Sequence, residues 1–105
     1  MDKGADEMIQ MIIQYEIKQN LLGQYLEAIK RISAMLPEFE AKMFSCRLSG
    51  EKNVFIESFF VPTEAHYHAI KKMRLSRGHS VFGILDQYIP GGLDRIGFLA
   101  IKQNR

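Results

Sequence analysis

The segment that most constrains the fold spans residues 42–61, where large apolar side chains alternate with other residues on both sides of a short polar stretch, residues 49–53. Alternation with a period of two is typical of a β-strand, and a short polar loop that contains glycine commonly joins two antiparallel strands. With the turn centred in this loop, we expect Leu48 to lie opposite Val54. The segment therefore predicts a β-hairpin.

The rest of the chain supplies two more strands and the first helix. Residues 8–18 and 95–103 also alternate, which predicts a first and a last strand. Between the first strand and the hairpin, apolar residues recur at spacings of three and four, as on one side of a helix. We expect Asn20 to cap this helix and Pro37 to end it.

A second helix should follow the hairpin, from Glu64 to about Leu75, with Thr63 as its N-cap. The basic residues near its end, Arg74 among them, suit the helix dipole. Residues 79–89 are ambiguous: their apolar spacing favours a short helix capped by Ser80, and a short strand is the alternative.

The predicted order is strand, helix, strand, strand, helix, strand. This order folds most simply as an α+β ferredoxin-like unit, a four-stranded antiparallel sheet with two helices on one face. We expect a flexible N-terminal tail over residues 1–8 and a single domain over residues 9–105. A chain of 105 residues, 47% of them hydrophobic, has the size and composition of one globular domain.

Charge and cysteine usage narrow the classes of function. The 14 basic and 12 acidic residues nearly balance and are scattered, which argues against nucleic-acid and anionic-membrane partners. No apolar stretch approaches the roughly 18 residues of a membrane span. The single cysteine, Cys46, cannot form an intrachain disulfide, and residues 1–7 lack the apolar run of a signal peptide, so we expect a cytoplasmic protein.

Alternation also predicts which side chains share each face of the sheet. The face toward the helices is expected to hold these residues: Met11, Ile13, Tyr15, Ile17, Phe44, Cys46, Leu48, Val54, Ile56, Phe60, Leu99 and Ile101. The opposite face is expected to hold these: Ile12, Gln14, Glu16, Met43, Ser45, Arg47, Phe55, Glu57, Phe59, Val61, Ile96 and Phe98. On that second face Glu57 and Arg47 lie on neighbouring strands and can pair within the sheet or across to a second copy of the chain. Left exposed, the apolar residues of this face would form a patch of larger area than soluble monomers usually tolerate. We therefore expect a second copy of the chain to cover it.

This pattern resembles a known family. The run Val54-Phe55-Ile56-Glu57-Ser58-Phe59, followed by Glu64-Ala65 at the start of the next helix, is similar to the dimeric α+β barrel group, and within it to the antibiotic-biosynthesis-monooxygenase-like (ABM-like) domains. In that family a Trp is usual where Phe59 stands, and a His is usual at Ala69, beside which His68 lies here. The resemblance implies a homodimer, and members include cofactor-independent oxygenases of aromatic polyketides and haem-degrading enzymes.

Two functions follow from this resemblance. The first is a small homodimeric monooxygenase-like protein that binds an apolar or aromatic small molecule between sheet and helices, with Glu57, His68 and Tyr15 as candidate catalytic residues. The alternative is a non-catalytic dimeric binding or interaction domain. A connected pocket with at least two polar groups would favour the first, whereas a packed interior with the histidines in solvent would favour the second.

Metal and cofactor sites receive little support from the sequence. Two of the three histidines, His66 and His68, stand two apart on a predicted helix, roughly 200° around it, and cannot both bind one ion. His79 could join one of them from the following loop. We expect no metal and no cofactor, with haem as the alternative.

Overall fold

The computed structural model describes residues 8–103, which form one sheet and three α-helices. The strands are β1 (Met8–Glu16), β2 (Lys42–Leu48), β3 (Val54–Val61) and β4 (Gly97–Gln103), and the helices are α1 (Leu22–Met35), α2 (Glu64–Arg74) and α3 (Leu85–Tyr88). The predicted tail lies outside these residues except for Met8, which begins β1.

The four strands form an antiparallel sheet in the order β2-β3-β1-β4. The two strands that follow a helix, β2 and β4, take the edges, and β1 and β3 lie in the centre. This is the predicted ferredoxin-like α+β arrangement, and the prediction of the fold class is confirmed. None of the helices in the described part of the chain is long and apolar enough to cross a membrane.

The core lies between the sheet and the helices. Alternate residues of β1, from Ile9 to Tyr15, are almost fully buried and pack against the apolar side of α1 and α2. Helix α1 contributes Tyr25 and Ile32, and the turn after α2 adds Phe82, each with no exposed surface. The space between the sheet and the helices is thus occupied by side chains.

The hairpin register differs by one residue from the predicted one. Leu48 lies opposite Phe55, not Val54, because Asn53 adopts a left-handed conformation at φ 59° and closes the loop one position later than expected. The Ser49 amide donates to the Val54 carbonyl at 2.9 Å, which fixes this register. A shift of one residue turns every side chain of a strand to the other face.

The predicted face of β3 is therefore wrong. The predicted face of β4 is also wrong, whereas that of β1 is right. Phe55, Glu57, Phe59 and Val61 are buried under the helices, and Val54, Ile56 and Phe60 lie on the opposite face. On β4 the pairing of Phe98 with Ile13 and of Leu99 with Ile12 likewise exchanges the two sides. When a strand carries large apolar residues on both sides, its sequence alone does not determine which side faces the helices, and the pairing with neighbouring strands decides it.

We call the sheet surface turned away from the helices the outer face. It remains apolar despite the exchange, because large side chains replace large side chains. Leu99 and Ile101 are 54% and 38% exposed on it, and neighbouring half-buried residues complete its apolar part: Ile12, Val54, Ile56 and Phe60.

Two of the three predicted helix caps are wrong. Thr63 caps α2 as predicted, accepting from the His66 amide at 3.3 Å. Asn20 instead lies in a 3-10 turn, Gln19–Leu21, and makes no cap. In the segment 79–89 the structure has a 3-10 turn and α3, and the ring of His79, not Ser80, accepts from the amides of Val81 and Phe82 at 3.1 Å each.

Candidate functional site

Five polar side chains form a connected group beneath the helices. This buried polar cluster consists of Tyr15 on β1, Tyr25 on α1, Cys46 on β2, Glu57 on β3 and Arg74 at the end of α2. Cys46 is half-buried, and the other four are at most 2% exposed. The cluster thus reaches from a fully enclosed ion pair to the sheet edge.

Glu57 and Arg74 make a two-point contact at the closed end. Arg74 Nη1 donates to Glu57 Oε1 at 2.9 Å, and Arg74 Nη2 donates to Glu57 Oε2 at 2.7 Å. Such parallel hydrogen bonds match the planar guanidinium to the carboxylate. Burial lowers the pKa of Arg74, but the attraction of Glu57 outweighs burial and raises the pKa above its ordinary value.

The rest of the Arg74 side chain is held by an aromatic ring. The guanidinium carbon lies 5.3 Å from the centre of the Phe82 ring, which is within the range of a cation–π contact. Among residues 8–103, Arg74 Nε finds no hydrogen-bond partner, so the hydrogen bonds of this guanidinium to those residues come from its two Nη atoms.

The remaining hydrogen bonds run in one direction toward Glu57. Tyr15 donates its hydroxyl hydrogen to Glu57 Oε2. Because a hydroxyl has one hydrogen, Tyr15 Oη must accept from Tyr25, 2.7 Å away. Tyr25 Oη, having donated, then accepts from the Cys46 thiol at 3.3 Å. The half-buried Cys46 thiol is therefore the first donor in this series of hydrogen bonds, and the buried Glu57 carboxylate is the final acceptor.

Burial keeps the three donors of this chain protonated. Desolvation and the charge of Glu57 raise the pKa of Tyr15 well above its ordinary value. Desolvation also raises the pKa of Tyr25 and that of the Cys46 thiol. A protonated thiol is a poor nucleophile, so the arrangement suits proton transfer along the chain better than attack by sulfur.

The structure brings together two of the three predicted catalytic residues. Tyr15 and Glu57 are in direct contact, whereas the exposed His68 lies outside the cluster against the ring of Tyr67. The predicted partner of Glu57 is wrong: Arg47 is exposed on β2, and Arg74 takes its place. Arg74 was visible in the sequence as a basic residue near the end of a helix, and from this position we predicted an interaction with the helix dipole and no contact with Glu57.

The other two histidines have local structural partners. His66 Nδ1 lies 2.7 Å from Thr63 Oγ1, and His66 Nε2 lies 3.4 Å from Glu40 Oε2. His79 binds backbone amides and stacks on Phe82 with ring centres 4.7 Å apart. Within residues 8–103, no three His, Cys, Asp or Glu side chains gather as a metal site would require.

A second concave region lies at one end of the outer face. This end groove encloses about 450 Å³ and lies beside the end of β1 and the start of β4. Its walls include apolar residues, Ile12, Val54 and Leu99 among them, and the polar residues Gln14, Glu16 and Arg95.

Comparison with known proteins gives matches at the level of structure. No protein-family model and no curated protein matches the chain. A conserved protein from Methanosarcina mazei Go1 superposes with a TM-score of 0.72 at 10% identity, over 96% of this chain and 97% of that one.

Two further solved structures are similar. A conserved protein of unknown function from Bacteroides thetaiotaomicron VPI-5482, described as a possible oxidoreductase, has a TM-score of 0.65 at 14% identity, over 92% of this chain and 98% of that one. A NIPSNAP-family protein of unknown function from Agrobacterium tumefaciens strain C58 has a TM-score of 0.66 at 13% identity, over 95% and 91%. At these identities the matches show that the chain has the ferredoxin-like α+β fold.

Proposed function

We propose that this protein is a homodimeric interaction domain whose two copies pack through the outer face of the sheet, as in dimeric α+β barrels. The observation that carries the proposal is the exposure of Leu99 and Ile101, 54% and 38%, within an apolar surface that spans adjacent strands. The two opposing faces of a twofold dimer present the same patch to each other, so each copy supplies the apolar cover that the other needs.

Burial of the outer face against a second copy is favourable. Dimer interfaces of standard size bury about 800 Å² on each partner. At roughly 25 cal/mol per Å² of apolar surface, this gives tens of kcal/mol of gross driving force, most of which is offset by the loss of freedom on association. The packed interior between sheet and helices supports a binding role that uses the outer face and leaves the interior structural.

Two leucines of nearly equal exposure provide the experiment. Leu99 on the outer face is 54% exposed, and Leu26 on α1 is 53% exposed. In sedimentation equilibrium at micromolar concentration, we expect the unmodified chain and the Leu26→Glu variant to behave as dimers and the Leu99→Glu variant to behave as a monomer. An unmodified chain that sediments as a monomer at millimolar concentration would overturn the proposal.

A second candidate function is favoured by the contact between Tyr15 and Glu57. The proposal is a cofactor-independent, monooxygenase-like oxidation of an apolar or aromatic molecule, with dioxygen as the oxidant. The series of hydrogen bonds that joins Cys46 to Glu57 would carry the substrate proton to the carboxylate. The description of one structural neighbour as a possible oxidoreductase supports this candidate. Cys46, the most accessible member of the cluster, marks the side from which a substrate would approach.

Oxygen uptake distinguishes the two candidates. The purified protein is mixed with a dihydroxynaphthalene, and dioxygen is followed with an electrode. An oxygenase predicts uptake above the protein-free rate that falls at least tenfold in the Tyr15→Phe and Glu57→Gln variants, with His68→Asn, outside the cluster, unchanged. Uptake that equals the protein-free rate would rule out oxidation of this substrate class and leave the interaction domain.

A further inference from the structure

The end groove exists because β4 begins with a residue that has no side chain. Gly97 pairs with Gln14 of β1 on the outer face. A Cβ at this position would meet only the Gln14 carbonyl oxygen, at 3.8 Å, which is ordinary contact. Nothing in the backbone therefore requires glycine at position 97, and its effect is to leave space beside Gln14.

Two opposite charges line this groove without pairing. Glu16 and Arg95 both belong to its wall. Across residues 8–103, neither has an oppositely charged side chain within 4.0 Å. A carboxylate and a guanidinium are thus available in one concave region, separated from each other and flanked by the apolar surface of Ile12, Val54 and Leu99.

The stem of the exposed Arg95 side chain lies against Gly91. Its Cγ would lie 2.7 Å, and its Cδ 3.2 Å, from a Cβ at Gly91, so the arginine stem lies directly on the Gly91 backbone. Gly91 also has a φ of 86°, a conformation that L-residues with a side chain rarely adopt. This contact places the stem of Arg95 beside the groove and leaves its exposed guanidinium accessible to a ligand.

We propose that the end groove binds a zwitterionic amino acid with an apolar or aromatic side chain. Arg95 receives the α-carboxylate, Glu16 receives the α-ammonium, and the apolar wall of the groove contacts the side chain. The volume of about 450 Å³ lies in the range of small-molecule sites. A ligand with only one charge would contact only one of Glu16 and Arg95, whereas a zwitterion can contact both.

This inference does not depend on the proposed oxidation. It shares a surface with the proposed dimer, because Ile12, Val54 and Leu99 belong both to the groove wall and to the apolar outer face. Tyr15, a member of the buried polar cluster, also belongs to the groove wall, whereas the other four residues of the cluster do not line it. A dimer whose second copy filled the groove with its own side chains would prevent binding. A chain that sediments as a dimer and does not bind L-phenylalanine would therefore overturn the inference and leave the proposed dimer in place.

Three related compounds test the charge assignment. In two-dimensional ¹H–¹⁵N NMR titrations of the full chain, L-phenylalanine is compared with 2-phenylethylamine, which lacks the carboxylate, and with 3-phenylpropionate, which lacks the ammonium. We expect L-phenylalanine to shift amides of residues 12–16 and 97–99 and to bind at least fivefold more tightly than either analogue. Because the charges are exposed, 1 M NaCl should weaken binding several-fold.

Variants separate the groove from general surface effects. Gly97→Val should narrow the groove beside Gln14 and weaken binding, and Arg95→Gln should remove the preference for L-phenylalanine over 2-phenylethylamine. Glu16→Gln should remove the preference for L-phenylalanine over 3-phenylpropionate. Arg31→Gln, an exposed arginine on α1 away from the groove, is the matched control and should bind like the unmodified chain.

Three results would overturn the inference. The first is the absence of amide shifts at 10 mM L-phenylalanine. The second is equal binding of all three compounds, which would indicate a nonspecific apolar contact. The third is unchanged binding in a Gly97→Val variant whose spectrum shows a native fold.

Discussion

Glu57 and Arg74 form a completely buried ion pair in which both carboxylate oxygens accept from the guanidinium, at 2.9 and 2.7 Å. The pair joins the centre of the sheet to the last turn of α2. Since each charge is removed from water only in the presence of the other, the pair makes the docking of α2 on β3 specific: a small displacement of the helix would leave both charges unmatched.

The first prediction concerns the loss of one partner of this pair. Arg74→Met leaves the Glu57 carboxylate buried with Tyr15 as its remaining donor, and removal of one member of a buried pair typically lowers the free energy of unfolding by about 3–5 kcal/mol. Urea denaturation followed by circular dichroism measures the loss. The control is Arg77→Met, which removes an exposed pair with Asp86 and Asp94 and should leave stability nearly unchanged. Equal losses in the two variants would contradict this account of the buried pair.

The second prediction is a loss of stability at alkaline pH. The pKa of Tyr15 and that of Tyr25 are both raised in the folded chain above their ordinary value of 10.0. A group whose pKa is raised by folding contributes fully at pH values below its unfolded pKa, and this contribution is lost as pH rises toward the folded pKa. Unfolding free energy should therefore fall above about pH 10. Urea midpoints from pH 7 to 11 measure it, and the Tyr15→Phe/Tyr25→Phe double variant should show a flatter dependence.

A third prediction follows from the environment of Cys46. Desolvation raises the pKa of its thiol above the ordinary value of 9.0, so the thiolate is scarcer than in the unfolded chain at any pH near neutrality. Alkylation by iodoacetamide at pH 8, followed by mass spectrometry, should be several-fold slower in buffer than in 8 M urea. Equal rates would show that the thiol is neither shielded nor bonded to Tyr25.

The fourth prediction compares two glycines. A Cβ at Gly83 would clash with the Arg77 carbonyl oxygen and lie 2.8 Å from that of Ser76, whereas a Cβ at Gly23 would meet nothing within 4 Å. Gly83→Ala must therefore displace backbone, and we expect a loss of about 1–3 kcal/mol. Gly23→Ala, in the first turn of α1, should raise stability by up to about 1 kcal/mol. Thermal or urea unfolding of the two variants checks both signs, and a stabilised Gly83→Ala would show that the loop yields easily.

The order of elements could be predicted because each depends on local chemistry. Period-two alternation, helical spacing and the Thr63 cap act over a few residues, and they identified every strand and both long helices. Asn20 shows the limit of this reasoning. A residue suited to capping is available at the right distance, but the chain enters α1 through a 3-10 turn, and Asn20 makes no cap.

The candidate site depended on contacts that the sequence does not encode locally. Tyr15 and Glu57 were identified as residues of interest, but their partners Tyr25 and Arg74 lie 10 and 17 positions away along the chain. The spacing of Tyr25 in the sequence indicated a core position on the first helix, and the position of Arg74 near the end of the second helix indicated an interaction with the helix dipole. Only the docking of α1 and α2 on the same sheet face brings their polar atoms together.

By itself, then, the sequence determined the ferredoxin-like order of strands and helices and the presence of an apolar outer face, since both follow from the spacing of apolar residues along each segment. The tertiary structure decided which side of β3 and β4 meets the helices. Strands with large apolar residues at both parities satisfy either orientation, and the left-handed turn at Asn53 fixed the orientation of β3 by moving the hairpin register one residue. That step buried Glu57 beside Arg74. The separate pairing of β4 with β1 placed Leu99 beside Ile12 on the face open to a partner.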